Sequence, residues 1–182
     1  MCTYRPLALG ATLALLALGC AAPAPPPSET RYGLGTALTD RELAGWNIDV
    51  ASDGTGLPAG RGSVAEGKAV YDAKCASCHG AKGEGNPGPR LAGGAVKPPI
   101  VVKTVGSFWP YATTLYDYIY RAMPWDKPQS LTPNEVYAVS AYVLFINGIV
   151  SESATLDAAS LAKVRMPNRE GFTSPDPRPD TP

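Results

Sequence analysis

The sequence lacks an excess of charge of either sign. Among its 182 residues, 16 are Lys or Arg and 16 are Asp or Glu, so the formal net charge is zero. A nucleic-acid-binding domain would be expected to carry a basic surface that attracts phosphates. The balance argues against that function class, and it predicts partners that are recognised through shape and apolar contact.

A long hydrophobic run is also missing. The N-terminal apolar run, residues 7–18, is too short to span a bilayer as a helix. Arg5 precedes this run, and the sequence Ala17-Leu18-Gly19-Cys20 ends it. This pattern resembles a bacterial lipoprotein signal, so we expect residues 1–20 to be a signal peptide and Cys20 to be lipidated. The protein is then periplasmic or otherwise extracytoplasmic and associated with a membrane. Ordinary signal cleavage near Ala22 is the alternative.

Metal-binding side chains are few. The chain has one histidine, His79, and four cysteines, of which only Cys75 and Cys78 lie outside the leader. A structural zinc site takes four ligands, which these residues do not supply. A thioredoxin-like C-x-x-C motif needs a βαβ context, which the sequence does not predict.

What the chain does contain is the pentapeptide Cys75-Ala76-Ser77-Cys78-His79. C-x-x-C-H is the attachment signature of a c-type haem. Two thiols three residues apart lie on one face of a helical turn, so both can bond to the vinyl groups of one porphyrin. His79 then lies where its imidazole can ligate the iron. We therefore predict one covalently attached haem c.

The sixth iron ligand must be a residue other than histidine. Met123, which is followed by Pro124 and precedes the last predicted core helix, is the favoured axial ligand. Met166 is the alternative, although it is also interpreted as a core residue that fills a gap. An open or lysine-ligated iron is the third alternative.

Several further residues are expected to surround the haem. The backbone carbonyl of Pro89 is the candidate acceptor for the second N–H of His79, unless this proline only forms a turn. Arg90 is a candidate partner for a haem propionate, and a solvated arginine is the alternative. Three aromatic residues are expected to pack in the pocket: Trp109, Tyr111 and Trp125.

Capping signals and a stop at Pro124 predict three helices in the core. Ser63 with Glu66 opens a helix to about Lys74, residues 111–122 form a second, and Thr132-Pro133 with Glu135 opens a third that Gly148 closes. The third has an apolar stripe: Val136, Val139, Tyr142, Val143 and Ile146. The domain prediction is a Pro-rich tether at 21–30, an N-terminal arm at 31–62, a cytochrome c domain at 63–150, and a C-terminal arm with a disordered tail at 151–182.

These motifs resemble the class I cytochromes c. The matching pattern is Gly67-x-x-x-Tyr71, the C-x-x-C-H-G motif at 75–80, Gly88-Pro89-x-Leu91, Met123-Pro124 and the aromatic Tyr142. The resemblance implies an all-α fold, with a few helices wrapped around one covalently bound haem and extended arms at both ends.

Three stretches more narrowly resemble the cytochrome subunits of bacterial sulfite and sulfane dehydrogenases: residues 104–112, 121–125 and 166–172. This resemblance implies a carrier of single electrons that accepts them from a molybdenum-containing sulfite or sulfane dehydrogenase. The chain is then not an enzyme itself. A haem enzyme or ligand sensor with a vacant or labile sixth position is the alternative.

Overall fold

The computed structural model describes residues 34–97, 99–100 and 102–172. The predicted signal peptide, Cys20, the Pro-rich tether and the predicted tail from residue 173 onward lie outside these ranges. Within them the regular secondary structure is mostly helical. No helix there has the length and apolarity needed to cross a bilayer. The elements are α1 Asp40–Leu43, β1 Arg61–Ser63, α2 Val64–Lys74, α3 Ala76–His79, α4 Val105–Phe108, α5 Ala112–Ala122, α6 Pro133–Ile146, β2 Thr155–Asp157 and α7 Ala158–Leu161.

Side-chain caps determine where the core helices begin. Ser63 Oγ accepts a hydrogen bond from the backbone N–H of Glu66, and the Glu66 carboxylate accepts one from the N–H of Ser63. Thr132 and Glu135 form the same reciprocal pair at the start of α6, where Pro133 is the first helical residue. These capping boxes satisfy backbone donors that a helix cannot pair internally. The helix starts predicted at these two sites are confirmed.

Helices α2 and α6 approach each other closely at Gly67. A Cβ atom on Gly67 would lie 1.9 Å from the carbonyl oxygen of Ala138, so only glycine fits at this contact. One turn further along, the rings of Tyr71 and Tyr142 pack with their centroids 5.0 Å apart. The glycine, the alanine and the paired aromatic rings thus define the helix crossing.

Helix α6 is buried over most of its circumference. Every residue from 136 to 144 is buried, so the predicted apolar stripe describes only part of the covered surface. The reason is that α2 and α5 pack on α6, and the strands β1 and β2 pack on it as well. A stripe reflects burial on one side of a helix, whereas this helix is the centre of the fold.

Segments from both predicted arms join this core. Strands β1 and β2 pair antiparallel, with Gly62 opposite Leu156. Leu156 and Leu161 are buried. In the N-terminal segment the N–H of Val50 donates to the buried carboxylate of Asp117 at 2.8 Å. Segments that precede and follow residues 63–150 in the sequence therefore also pack on the core.

Gly67→Ala tests the helix crossing. We expect the added methyl group to lower the free energy of unfolding by about 1–3 kcal/mol, because the contacting atom is backbone and cannot rotate away. Denaturant unfolding of the haem-loaded protein measures the change. Gly45→Ala is the matched control, since a Cβ there meets no atom within 4 Å. Equal stability of the two variants would contradict this account of the crossing.

Candidate functional site

The C-x-x-C-H motif forms the junction between α2 and α3. Cys75 is the C-cap of α2, and its N–H donates to the carbonyl of Tyr71 at 2.9 Å. Its carbonyl accepts from the N–H of His79 at 2.9 Å, which closes the next helical turn. Cys75 is half-buried and Cys78 is exposed, and the two do not form a disulfide with each other. Burial raises the pKa of the Cys75 thiol to about 11, which favours its protonated form.

The loop after the motif folds back over His79. The Nδ1 atom of His79 lies 2.7 Å from the carbonyl oxygen of Pro89. A proton on Nδ1 donates to this carbonyl, and the lone pair of Nε2 is then available to a metal ion. Gly88 allows the loop to come this close, because a Cβ there would lie 2.9 Å from the carbonyl oxygen of Cys78 and 3.2 Å from the His79 ring.

A cavity of about 780 Å³ adjoins the motif. Its volume lies in the range of roughly 300–1,000 Å³ that is usual for cofactor sites. Cys75, Cys78 and His79 line it together with Met123, which follows the last residue of α5. Seven aliphatic side chains also line it: Leu91, Val105, Leu115, Ile119, Leu131, Val139 and Val143.

Four of the other predicted site residues also line the cavity: Pro89, Arg90, Trp109 and Trp125. Trp125 lies at the rim, with 81% of its surface exposed. Arg90 Nε donates to the carbonyl of Glu84 at 3.1 Å, which holds the side chain against the loop. Met166 is not a lining residue, and its side chain is buried in the hydrophobic core.

Tyr111 differs from the expectation, since it is absent from the cavity wall. Its ring packs under the guanidinium of Arg169, with 4.1 Å between the guanidinium carbon and the ring centroid. Its backbone forms a bridge with Arg165. As the extended N-cap of α5, Tyr111 therefore contacts the C-terminal segment, which sequence reasoning did not place next to it.

Sequence reasoning also left out several lining residues, of which Tyr71 is the most informative. Its hydroxyl donates to the carbonyl of Gly80 at 2.8 Å, and burial raises its pKa to about 12. It therefore remains a donor that fixes the residue after His79. The i,i+4 pairs Leu115–Ile119 and Val139–Val143 also face the cavity, and their helical spacing was a signal available in the sequence.

The donor set fits a porphyrin-bound metal. Two thiols at one edge, an imidazole nitrogen and a thioether meet in an apolar cavity. Among the described residues there is no cluster of three or more His, Cys, Asp and Glu side chains that would hold a metal ion directly. A haem needs no such cluster, because its macrocycle supplies the remaining iron ligands.

Comparison with known proteins agrees with this geometry. Residues 62–143 match the family model described as cytochrome c oxidase, cbb3-type, subunit III. A chain in the crystal structure of the sulfane dehydrogenase SoxCD from Paracoccus pantotrophus is similar over 81% of this chain and 74% of its own length, at 42% identity and a TM-score of 0.75. The chain belongs to the c-type cytochromes. The predicted class I fold and the predicted covalent haem c cofactor are thereby confirmed.

This cytochrome also resembles the thiosulfate dehydrogenase of Stutzerimonas stutzeri (strain A1501). The two are 34% identical over 89 residues, which is 47% of this chain. The cytochrome spans only 28% of the length of that protein. The shared region is therefore about the size of one cytochrome domain.

An ion pair fastens the end of α2 to the start of α6 in this cytochrome. Lys74, which also lines the cavity, donates to the Glu135 carboxylate at 2.8 Å. This hydrogen bond, together with the capping bond from Thr132, lowers the pKa of Glu135 from 4.5 to about 2. Lys74 directly precedes Cys75 in the chain, so the pair restrains the start of the C-x-x-C-H turn.

The pKa of Glu135 predicts a pH dependence of stability. A carboxyl group whose pKa is lowered by folding stabilises the folded state above its unfolded pKa, and this contribution is lost as the pH falls. We expect the wild-type protein to lose stability between about pH 4.5 and pH 2, and Glu135→Gln to lose less over that window. Urea midpoints measured across this range provide the test, with Glu152→Gln at an exposed loop position as control. Parallel curves for wild type and Glu135→Gln would contradict it.

Proposed function

We propose that this cytochrome carries single electrons on one haem, which Cys75 and Cys78 attach and His79 and Met123 ligate. The observation that supports the proposal is that one apolar cavity is lined by all four residues. The bound haem supplies one-electron iron chemistry. A second candidate function, a haem enzyme or ligand sensor, requires a sixth position that small molecules can occupy.

The protein holds both proposed axial ligands in fixed positions. His79 is oriented by the carbonyl of Pro89, which sets the proton on Nδ1. The backbone of Met123 is held at the end of α5 by its N–H, which donates to the carbonyl of Ile119 at 3.0 Å. A thioether ligand stabilises the reduced state, so this ligand pair favours a high reduction potential. If His79 and Met123 both ligate the iron, no iron position would be open to a substrate.

Replacing each methionine separately tests the axial assignment. We expect Met123→Ala to lower the reduction potential, to give a high-spin spectrum and to allow cyanide or carbon monoxide to bind, because an axial position is vacated. Met166→Ala should keep the low-spin spectrum and cost about 2–5 kcal/mol of stability, because Met166 is buried in the core. Visible spectra and redox titrations of both purified proteins measure these effects. A high-spin Met166→Ala beside a low-spin Met123→Ala would reverse the assignment.

We infer that the electron donor is the catalytic subunit of a molybdenum-containing sulfane or sulfite dehydrogenase. The similarity to a SoxCD chain covers 81% of this chain, which is more than residues 63–150 alone can supply. The likeness therefore extends into the arms. The N-terminal arm bears three exposed apolar side chains around α1: Leu38, Leu43 and Trp46. Exposed apolar groups of this kind are suited to a protein interface.

Trp46→Ala tests this interface. Tryptophans that become buried in an interface often dominate the binding energy. We therefore expect the Kd for the catalytic subunit to rise about tenfold or more. The spectrum and the reduction potential should stay unchanged, because Trp46 does not line the cavity. Calorimetric titration of the haem-loaded cytochrome into the cofactor-loaded catalytic subunit measures the affinity. The neighbouring Gly45→Ala is the control, and an unchanged Kd for Trp46→Ala would remove α1 from the interface.

We further propose that the protein works outside the cytoplasm and is anchored through a lipid on Cys20, a residue outside the described ranges. Two acyl chains or more give stable membrane attachment, whereas an unlipidated domain has none. Cys20→Ala should therefore move the protein from the membrane fraction to the soluble fraction of fractionated cells. Unchanged membrane association of this variant would rule out the lipid anchor.

A further inference from the structure

Residues 165–172, here called the C-terminal clamp, form a compact turn beside the haem cavity. Met166 anchors it in the core with 1% of its surface exposed, and Asn168 is 6% exposed. Two backbone bonds tighten the turn, from Arg169 to the carbonyl of Met166 at 3.2 Å and from Gly171 to the carbonyl of Asn168 at 3.1 Å. A Cβ on Gly171 would lie 1.9 Å from Asn168 Oδ1, so the glycine makes room for the amide.

The clamp holds residues 108–111 through four separate contacts. Asn168 Nδ2 donates to the carbonyl oxygen of Phe108 at 2.7 Å. The ring of Phe172 packs edge-on against that of Phe108, with the centroids 5.1 Å apart. On the other side, Arg169 lies over the ring of Tyr111, and Arg165 forms a backbone bridge with the same tyrosine.

Trp109 lies between the two residues that the clamp holds. Its ring is a wall of the cavity and meets the ring of Tyr118, another lining residue, edge-on at 5.9 Å. Lys103 also lines the cavity, and its ammonium lies 4.8 Å from the centroid of the Phe108 ring. The clamp itself contributes no residue to the cavity wall.

We propose that Asn168 is a positioning residue that sets the reduction potential by fixing Trp109 against the haem. The proposal rests on the proposed function, since it requires the haem to occupy this cavity. Fixing the carbonyl of Phe108 fixes the peptide unit that begins Trp109, so the indole excludes water from its side of the cavity. Water stabilises the more highly charged ferric form, and burial of the haem therefore raises the potential. Releasing Trp109 should lower it.

The experiment compares Asn168→Ala with Asn134→Ala in the haem-loaded protein. Asn134 also makes a side-chain bond to backbone, accepting from Arg61 at 2.9 Å, but it is not a lining residue of the haem cavity. We expect Asn168→Ala to raise the ratio of oxidised to reduced protein at a fixed potential by up to about tenfold, equivalent to about 59 mV for one electron. Asn134→Ala should leave the ratio unchanged. Thermal unfolding of both variants shows whether either substitution also destabilises the protein.

A double-mutant cycle tests whether Asn168 acts through Trp109. In a Trp109→Ala background the shift caused by Asn168→Ala should disappear, because the group that it positions is gone. Phe172→Ala removes a contact at the surface and should lower the potential by a smaller amount than Asn168→Ala. It serves as the test variant if Asn168→Ala does not fold.

An unchanged potential in Asn168→Ala, with only a lower melting temperature, would overturn the inference. So would a potential shift that persists in full in the Trp109→Ala background. If Asn168→Ala does not fold, an unchanged potential in Phe172→Ala would overturn it. Failure of the proposed function is distinguishable, since the wild-type protein would then lack the spectrum of a low-spin c-type haem.

Discussion

The close contact of α2 with α6 is the constraint on which the haem site depends. Gly67 lets the two backbones touch at Ala138, and the rings of Tyr71 and Tyr142 pack beside this point. The crossing places the end of α2, where Cys75 begins the attachment turn, beside the wall that α6 contributes to the cavity. A displacement of either helix would move the thiols relative to that wall, so stability and cofactor geometry are linked at one contact.

Hydrogen bonds to backbone carbonyls position His79 and the loops around the cavity. The carbonyl of Pro89 orients His79, and the hydroxyl of Tyr71 holds the carbonyl of Gly80, the next residue. Outside the cavity, Asn168 donates to the carbonyl of Phe108, which precedes the lining residue Trp109. The polar groups restrain the loops, and the cavity surface that faces the cofactor remains mostly apolar. Such a site binds a large hydrophobic cofactor and limits the access of water to it.

Local patterns in the sequence were sufficient to predict the helix starts and the helical turn of the C-x-x-C-H motif. The caps at Ser63 and Thr132 depend only on residues three positions apart, and the thiols of the C-x-x-C-H motif lie in one turn. The nearly complete burial of α6 and the location of Tyr111 could not be predicted this way. Helix α6 is buried because α2, α5, β1 and β2 all pack on it. Tyr111 lies where it does because Arg165 and Arg169 of the C-terminal segment contact it. These contacts join residues far apart in sequence, and periodicity carries no information about them.

The central claim is that one haem is bonded covalently to Cys75 and Cys78. Mass spectrometry of the denatured, protease-digested holoprotein tests it most directly, because a thioether-bound haem remains on its peptide after unfolding. The account predicts one haem per chain, found on the peptide that contains residues 75–79 and on no other. Release of the haem on denaturation, or its recovery on a different peptide, would contradict the account.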